Sequence, residues 1–325
     1  MLRRKTVNGH LALCLENEQL RVGVLPEKGA DIFELVHKAT SPSQDVQFLM
    51  RTPWGLKPPQ KSRSIEFLDN YEGGWQELFP NANDGCQYHG QDIPFHGEVA
   101  LQPWQFEVPR SDAENVLRLW VNCRMTPFRL ERVMCLEGSQ LTLRESVTNL
   151  GSDPCDFVWG HHLTLGGDFL EDGCVLEIPA AVILTPDVLF EPLTARLESA
   201  QAERWPFALS RHGGYVDLRD IRGPDCHSHD DVILGGLEHG FYRVTNPRLN
   251  LSFSLEWNVD VFPWLMFWQP YGGADLPPLT GIYGVGLEPW VSRYPLAQAV
   301  DAGQARSLDG GQSLETELLA TVGAA

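Results

Sequence analysis

The 325-residue chain carries 43 acidic against 25 basic side chains, a formal net charge of −18, and is punctuated by 30 glycines and 23 prolines. A field of that sign repels phosphate backbones and anionic lipid, which argues against nucleic-acid and membrane partners. The seven cysteines (Cys14, Cys86, Cys123, Cys135, Cys155, Cys174 and Cys226) are scattered and form no CxxC pair, so they read as reduced thiols and exclude a zinc or dithiol redox centre of the usual spacing.

From the N-terminus, Arg3-Arg4-Lys5 precedes a short stretch broken by His10, Glu16 and Glu18, too polar for the apolar region of a signal peptide. No run of about 20 apolar residues follows anywhere, and the cytoplasm is the expected location. Two Pro/Gly-rich stretches, Arg51 to Arg63 and Tyr71 to Pro94, read as long loops ordered over a site. Leu117, Leu119 and Val121 then alternate with Arg118 and Asn122, and Leu141, Leu143 and Val147 with Thr142, Arg144 and Ser146: strands with one buried face. Turn chemistry falls at Glu137-Gly138-Ser139, Asn149 to Ser152 and Asn246 to Asn250. Leu193, Leu197 and Ala200 predict a helix over 193–204, and the runs Ile233 to Val244 and Leu249 to Leu255 predict a hairpin. Many short strands and few helices make an all-β antiparallel sandwich, one domain over 1–325.

Four clusters carry chemistry. Gly73-Gly74-Trp75-Gln76-Glu77-Leu78-Phe79-Pro80-Asn81-Ala82-Asn83-Asp84, with Pro94-Phe95-His96-Gly97-Glu98, mixes aromatic faces with amides and carboxylates, as a sugar site does; a structural loop whose rings plug the sandwich end is the competing reading. In Trp159-Gly160-His161-His162-Leu163 adjacent residues face opposite sides of a strand, so one histidine at most points into a given cleft. Cys226-His227-Ser228-His229-Asp230-Asp231 would place His227 and His229 on one strand face like metal ligands; a solvated loop, or a carboxylate for a sugar hydroxyl, fits better, and no metal is assigned. Glu288, in Gly284-Val285-Gly286-Leu287-Glu288-Pro289-Trp290, is a lone carboxylate in an apolar strand, either hydrogen-bonded for structure or poised for proton transfer.

In their order along the chain, Gly73 to Ala82, Pro94 to Glu98, Trp159 to His162 and Gly286 to Trp290 together resemble the aldose 1-epimerase, or galactose mutarotase-like, family over most of the chain. The resemblance implies a β-supersandwich of large antiparallel sheets with few short helices, and an isomerase that interconverts the α and β anomers of a free aldose without cofactor or metal. It implies Glu288 as base at the anomeric hydroxyl and His162 as acid at the ring oxygen. It also implies sugar contacts from His96 and from Asp230 or Asp231, and with them Trp75, Gln76, Glu77, His161 and Trp268 are assigned to substrate binding. The partner is a small-molecule sugar, and the protein a monomer or homodimer. Two departures matter: Leu163-Thr164-Leu165 follows His162 where the family usually has an aromatic residue, and no arginine lies around Trp75 to Pro80. The alternatives are a sugar-binding protein without catalysis, and a mutarotase for a phospho- or sulfosugar that uses Arg51, Lys57, Lys61 or Arg63.

Overall fold

Where period-two alternation is cleanest in the sequence, the chain forms its longest strands. In the computed structural model, which describes residues 2–38, 44–59, 66–108, 115–275 and 277–325, Phe128–Glu137 and Gln140–Asn149 pair in antiparallel register around the Gly138 turn. Their buried residues, with those of Val116–Asn122 and Ser313–Ala324, form the inner face of an eight-stranded sheet. Its strand order is Val175–Glu177, Gly240–Asn246, Leu251–Trp257, Ser313–Ala324, Gln140–Asn149, Phe128–Glu137, Val116–Asn122, Gln105–Glu107.

A twelve-stranded sheet packs against it. Its central neighbours are Asp31–His37, Trp75–Leu78, Gly160–Leu165, Val285–Trp290, Trp264–Tyr271 and Ser228–Gly235, all antiparallel. Every residue of Trp75–Leu78, Gly160–Leu165 and Val285–Trp290 is buried. An antiparallel strand buried throughout needs cover on both faces. The eight-stranded sheet covers one, and loops including 67–71, 83–96 and 184–190 enclose a cleft on the other. The all-β expectation holds: two short α-helices, Phe67–Asn70 and Leu296–Asp301, and two 3-10 turns are the helical elements among the described residues. No helix among those residues is long and apolar enough to cross a membrane.

Two local expectations are corrected. Residues 193–204 form no helix: Leu193 is 91% exposed, so the 3.6-residue stripe has nothing to bury against. Leu197 bridges to Ser210, Ala200 takes a φ of +53°, and Ala202–Arg204 is an edge strand of the large sheet. The run Ile233 to Val244 is not one strand either. It breaks at Gly236, with a φ of +63°, and its halves enter different sheets: Ser228–Gly235 in the large one, Gly240–Asn246 in the smaller. The predicted hairpin therefore starts at Gly240, with Asn246 opposite Leu251.

Candidate active site

Strand parity builds the cleft floor. Glu288 lies opposite Met266, which lies opposite Ile233, and one pleat along Asp231 faces Trp268, which faces Gly286. His162 comes from the neighbouring strand Gly160–Leu165. All but Gly286 line a cavity of about 780 Å³, with Tyr71, Phe95, His96, Trp290 and the loop from Leu184 to Phe190 as walls. Glycine is required at 286 because a Cβ there would lie 2.5 Å from Glu288 Oε1 and 3.0 Å from the Trp268 side chain. Gly97 does the same for His96: at a φ of +72°, its Cβ would lie 2.2 Å from the Phe79 carbonyl oxygen.

His162 Nε2 stands 3.6 Å from Glu288 Oε1. The imidazole is boxed by rings, with centroids at 5.0 Å for Tyr71, 5.4 Å for Phe67, 5.5 Å for Trp268 and 5.3 Å for His96. Its Nδ1 lies 3.3 Å from Thr164 Oγ1, which is 2.9 Å from the Tyr71 hydroxyl. Burial among rings without a full ionic bond disfavours the charged imidazole and pulls His162 down to about 3. Burial, and then the charge of Asp231, push Glu288 well above the usual carboxylate range. His96 is pulled well below the usual imidazole range by burial and by His162, and its Nδ1 is 3.0 Å from the Ala82 carbonyl. Asp231 is pushed up to about 7 by burial and by the charges of Asp230, Glu191 and Asp84. The cleft thus gathers titratable groups whose values lie far from ordinary, a common mark of proton-transfer sites.

Of the residues singled out in the sequence, His96, His162, Asp231, Trp268 and Glu288 meet in this cavity. The others do not line it. His161 and Glu77, opposite each other in register, point between the sheets at Arg132 and Glu145. Trp75 donates from Nε1 to His161 Nδ1 at 3.1 Å. Gln76 is fully buried and donates to the Gly73 carbonyl at 2.7 Å. Asp230 accepts from Arg196 Nε at 2.7 Å and from the backbone N–H of Arg196 and Leu197, so it holds the loop below the cleft rather than facing the cavity. His227 and His229 do not share a strand face. His227 sits at a φ of +46° ahead of the strand with an exposed side chain, while His229 is buried and accepts from Trp268 Nε1. Arg51 and Lys57 lie away from this cavity, and Lys61 and Arg63 fall outside the described residues.

Sequence reasoning did not single out Tyr71, Arg293 or the Leu184 to Phe190 wall, and it included Phe95 and Trp290 in its motifs without assigning them to substrate binding. Trp290 was within reach, since it lies two residues beyond Glu288 and so on the same strand face. No local pattern marks the wall, which belongs to a loop.

Glu77, Glu145 and His161 bring their ligand atoms within 4.8 Å of one another, a spacing a metal ion would accept. Arg132 fills that place: its Nε donates to Glu145 Oε1 at 2.7 Å, its Nη2 donates to Glu77 and its Nη1 to the Ala30 carbonyl at 3.0 Å. Trp159 completes Glu77 with a donated indole N–H. The donor set is that of an ion-pair network rather than a metal centre.

This double sheet with an open cleft is the galactose mutarotase-like fold. A galactose mutarotase-like protein from Clostridium acetobutylicum superposes with a TM-score of 0.68 at 14% identity, over 100% of this chain and 99% of that one. One from Lactobacillus casei superposes with a TM-score of 0.65 at 15% identity, over 96% of this chain and 100% of that one. The Slr1438 protein from Synechocystis sp. PCC 6803 gives 0.71 at 17% identity, over 99% of both chains. At the level of sequence, residues 8–322 match the family described as domain of unknown function DUF4432, and the chain belongs to that family. No curated protein matches.

Proposed function

We propose that the protein is an aldose 1-epimerase-type isomerase that exchanges the α and β anomers of a free sugar. The observation that carries this reading is the 3.6 Å separation of His162 Nε2 and Glu288 Oε1 on the floor of an aromatic cavity large enough for a pyranose. The anomeric O1 and the ring O5 are bonded to the same carbon, so a base and an acid serving both have to lie a few ångströms apart.

In the proposed reaction Glu288 takes the proton of the O1 hydroxyl while His162 gives one to O5. The C1–O5 bond breaks, the open aldehyde turns about C1–C2, and O5 attacks the other face with the two transfers reversed. Thr164 Oγ1, itself in contact with the Tyr71 hydroxyl, lies beside His162 Nδ1 and orients the ring with Nε2 towards Glu288. Thr164 thereby supports the imidazole where the family usually has an aromatic residue close by. Burial favours the neutral pair in the empty cleft. When sugar hydroxyls donate to Glu288 and stabilise its carboxylate, its proton passes to His162, so that the carboxylate is the base at O1 and the imidazolium, not the neutral ring, is the acid at O5.

Saturation-transfer NMR across a panel of aldoses tests the reading. The wild-type protein is expected to accelerate anomer exchange for at least one of them. Glu288→Gln and His162→Asn are each expected to lose about 10²- to 10⁴-fold of that acceleration while the fold survives by circular dichroism. Sugar binding by calorimetry with no acceleration in the wild type would identify a binding protein instead.

A further inference from the structure

Arg293 is the one Lys or Arg among the described residues that line the cavity. It is half-buried, and the one hydrogen bond its guanidinium makes among the described residues is to the Tyr294 hydroxyl, not to a carboxylate. Its guanidinium lies over the ring of Trp264 at 5.6 Å and that of Tyr294 at 4.5 Å, and its Nη2 donates to the Tyr294 hydroxyl. Its Nε is buried with no acceptor. The guanidinium thus lies against two rings with no carboxylate partner among the described residues, and a buried donor without an acceptor is uncommon enough in folded proteins to need an explanation.

The sheet register fixes where that charge stands relative to the chemistry. Glu288 pairs with Met266, whereas Trp264, on which Arg293 rests, pairs with Trp290. Trp264, against whose ring Arg293 lies, is therefore two residues along its strand from Met266, the partner of Glu288, roughly 7 Å of backbone at the usual rise. Asp231 lies on the other side of Glu288, opposite Trp268, which faces Gly286. Asp231 and the Trp264 ring that Arg293 rests on thus stand on opposite sides of Glu288 along the strands.

We propose that the substrate is an aldose carrying one carboxylate, a uronate, whose acid group binds Arg293. This rests on the epimerase reading given above and names its substrate class. A planar carboxylate suits the free edge of a guanidinium that ring stacking has already oriented. The count of charges favours a monoanion: Asp84, Asp187, Asp231 and Glu288 line the same cavity, and one guanidinium balances one negative charge but not the second charge of a phosphate ester.

The test compares matched pairs, D-glucuronate with D-glucose and D-galacturonate with D-galactose, with D-glucose 6-phosphate as a further arm. For at least one pair the wild type is expected to favour the uronate by tenfold or more in kcat/KM. Arg293→Met brings that ratio close to one, chiefly through KM for the uronate, and Arg293→Lys keeps part of it. A ratio near one in the wild type for both pairs overturns the proposal, as does a ratio that Arg293→Met leaves intact or a preference for the 6-phosphate. Calorimetry on Glu288→Gln, alone and combined with Arg293→Met, separates this from the reaction itself. Uronate binding that exceeds neutral-sugar binding and needs Arg293 supports the inference even if no sugar shows accelerated exchange, in which case the epimerase reading falls alone. Accelerated exchange of neutral sugars with no Arg293-dependent uronate binding sinks the inference and spares the epimerase.

Discussion

His161 and His162 are neighbours on one strand, 0% and 6% exposed, and burial alone does not tell them apart. Partners do. His161 accepts from Trp75 and faces Glu145 Oε2 at 3.1 Å, inside a network that Arg132 closes. His162 has one long hydrogen bond to Thr164, and its nearest carboxylate stands at 3.6 Å, beyond direct bonding distance. The inner face has a cation built in, Arg132 between Glu77 and Glu145, whereas the outer face has none against Glu288. Burial alone would raise Glu145, yet His161 and Arg132 beside it hold it down at about 2, whereas Glu288, with no cation at hand, rises. A buried polar cluster marks a site only when its groups lack something that a ligand can supply.

The largest expected effect lies on the outer face. His162 and Glu288 move protons at two oxygens of one carbon, so they act as a unit. The double variant His162→Asn with Glu288→Gln is expected to lose about the same 10²- to 10⁴-fold of exchange rate as the more damaging single variant, not the product of the two losses. Saturation-transfer NMR on all three variants checks this; multiplicative losses would mean two independent roles.

On the inner face the corresponding change is read in stability. Arg132→Met leaves Glu77 and Glu145 buried without their cation and is expected to cost about 3–5 kcal/mol in urea denaturation. Replacing all three by apolar residues of similar volume is expected to recover most of that loss, since paired charges repay their desolvation only in part. A small loss from Arg132→Met would show that water already enters the network.

The same contrast explains what was legible in the sequence. Alternation in Val116–Asn122 and Gln140–Asn149 gave the strands, because one face of each is wet. In Trp75–Leu78 and Gly160–Leu165 both faces are dry, so polarity no longer reports direction, and Trp75, Gln76, Glu77 and His161 read like site residues although their partners lie between or beneath the sheets. Glu288, His162 and His96 were recognisable because a lone polar group in an apolar or glycine-bounded run has no partner nearby in the chain. Arg293 carries no such signal: its isolation appears only once the rings of Trp264 and Tyr294 and the absence of a facing carboxylate are seen in three dimensions.

Asp230 and Asp231 repeat the division at the cleft's edge and give the smallest of the expected effects. Asp230 points to Arg196 at 2.7 Å, and Asp231 lines the cavity and is held up at about 7 by burial and by the carboxylates of Asp230, Glu191 and Asp84. A carboxyl that titrates higher in the folded state than in the unfolded chain binds more protons when folded, so its contribution to stability declines as pH rises from about 4 to about 7. Asp231→Asn removes that penalty. It is expected to stabilise the protein at pH 8 relative to its effect at pH 4, and to weaken sugar binding about tenfold, close to 1.4 kcal/mol. Asp230→Asn is expected to do the reverse at pH 8, lowering the urea midpoint by stranding Arg196. If the two variants shift the midpoint in the same direction at pH 8, the carboxylate facing the cavity carries no strain that a bound sugar could relieve, and the neighbours differ in position only.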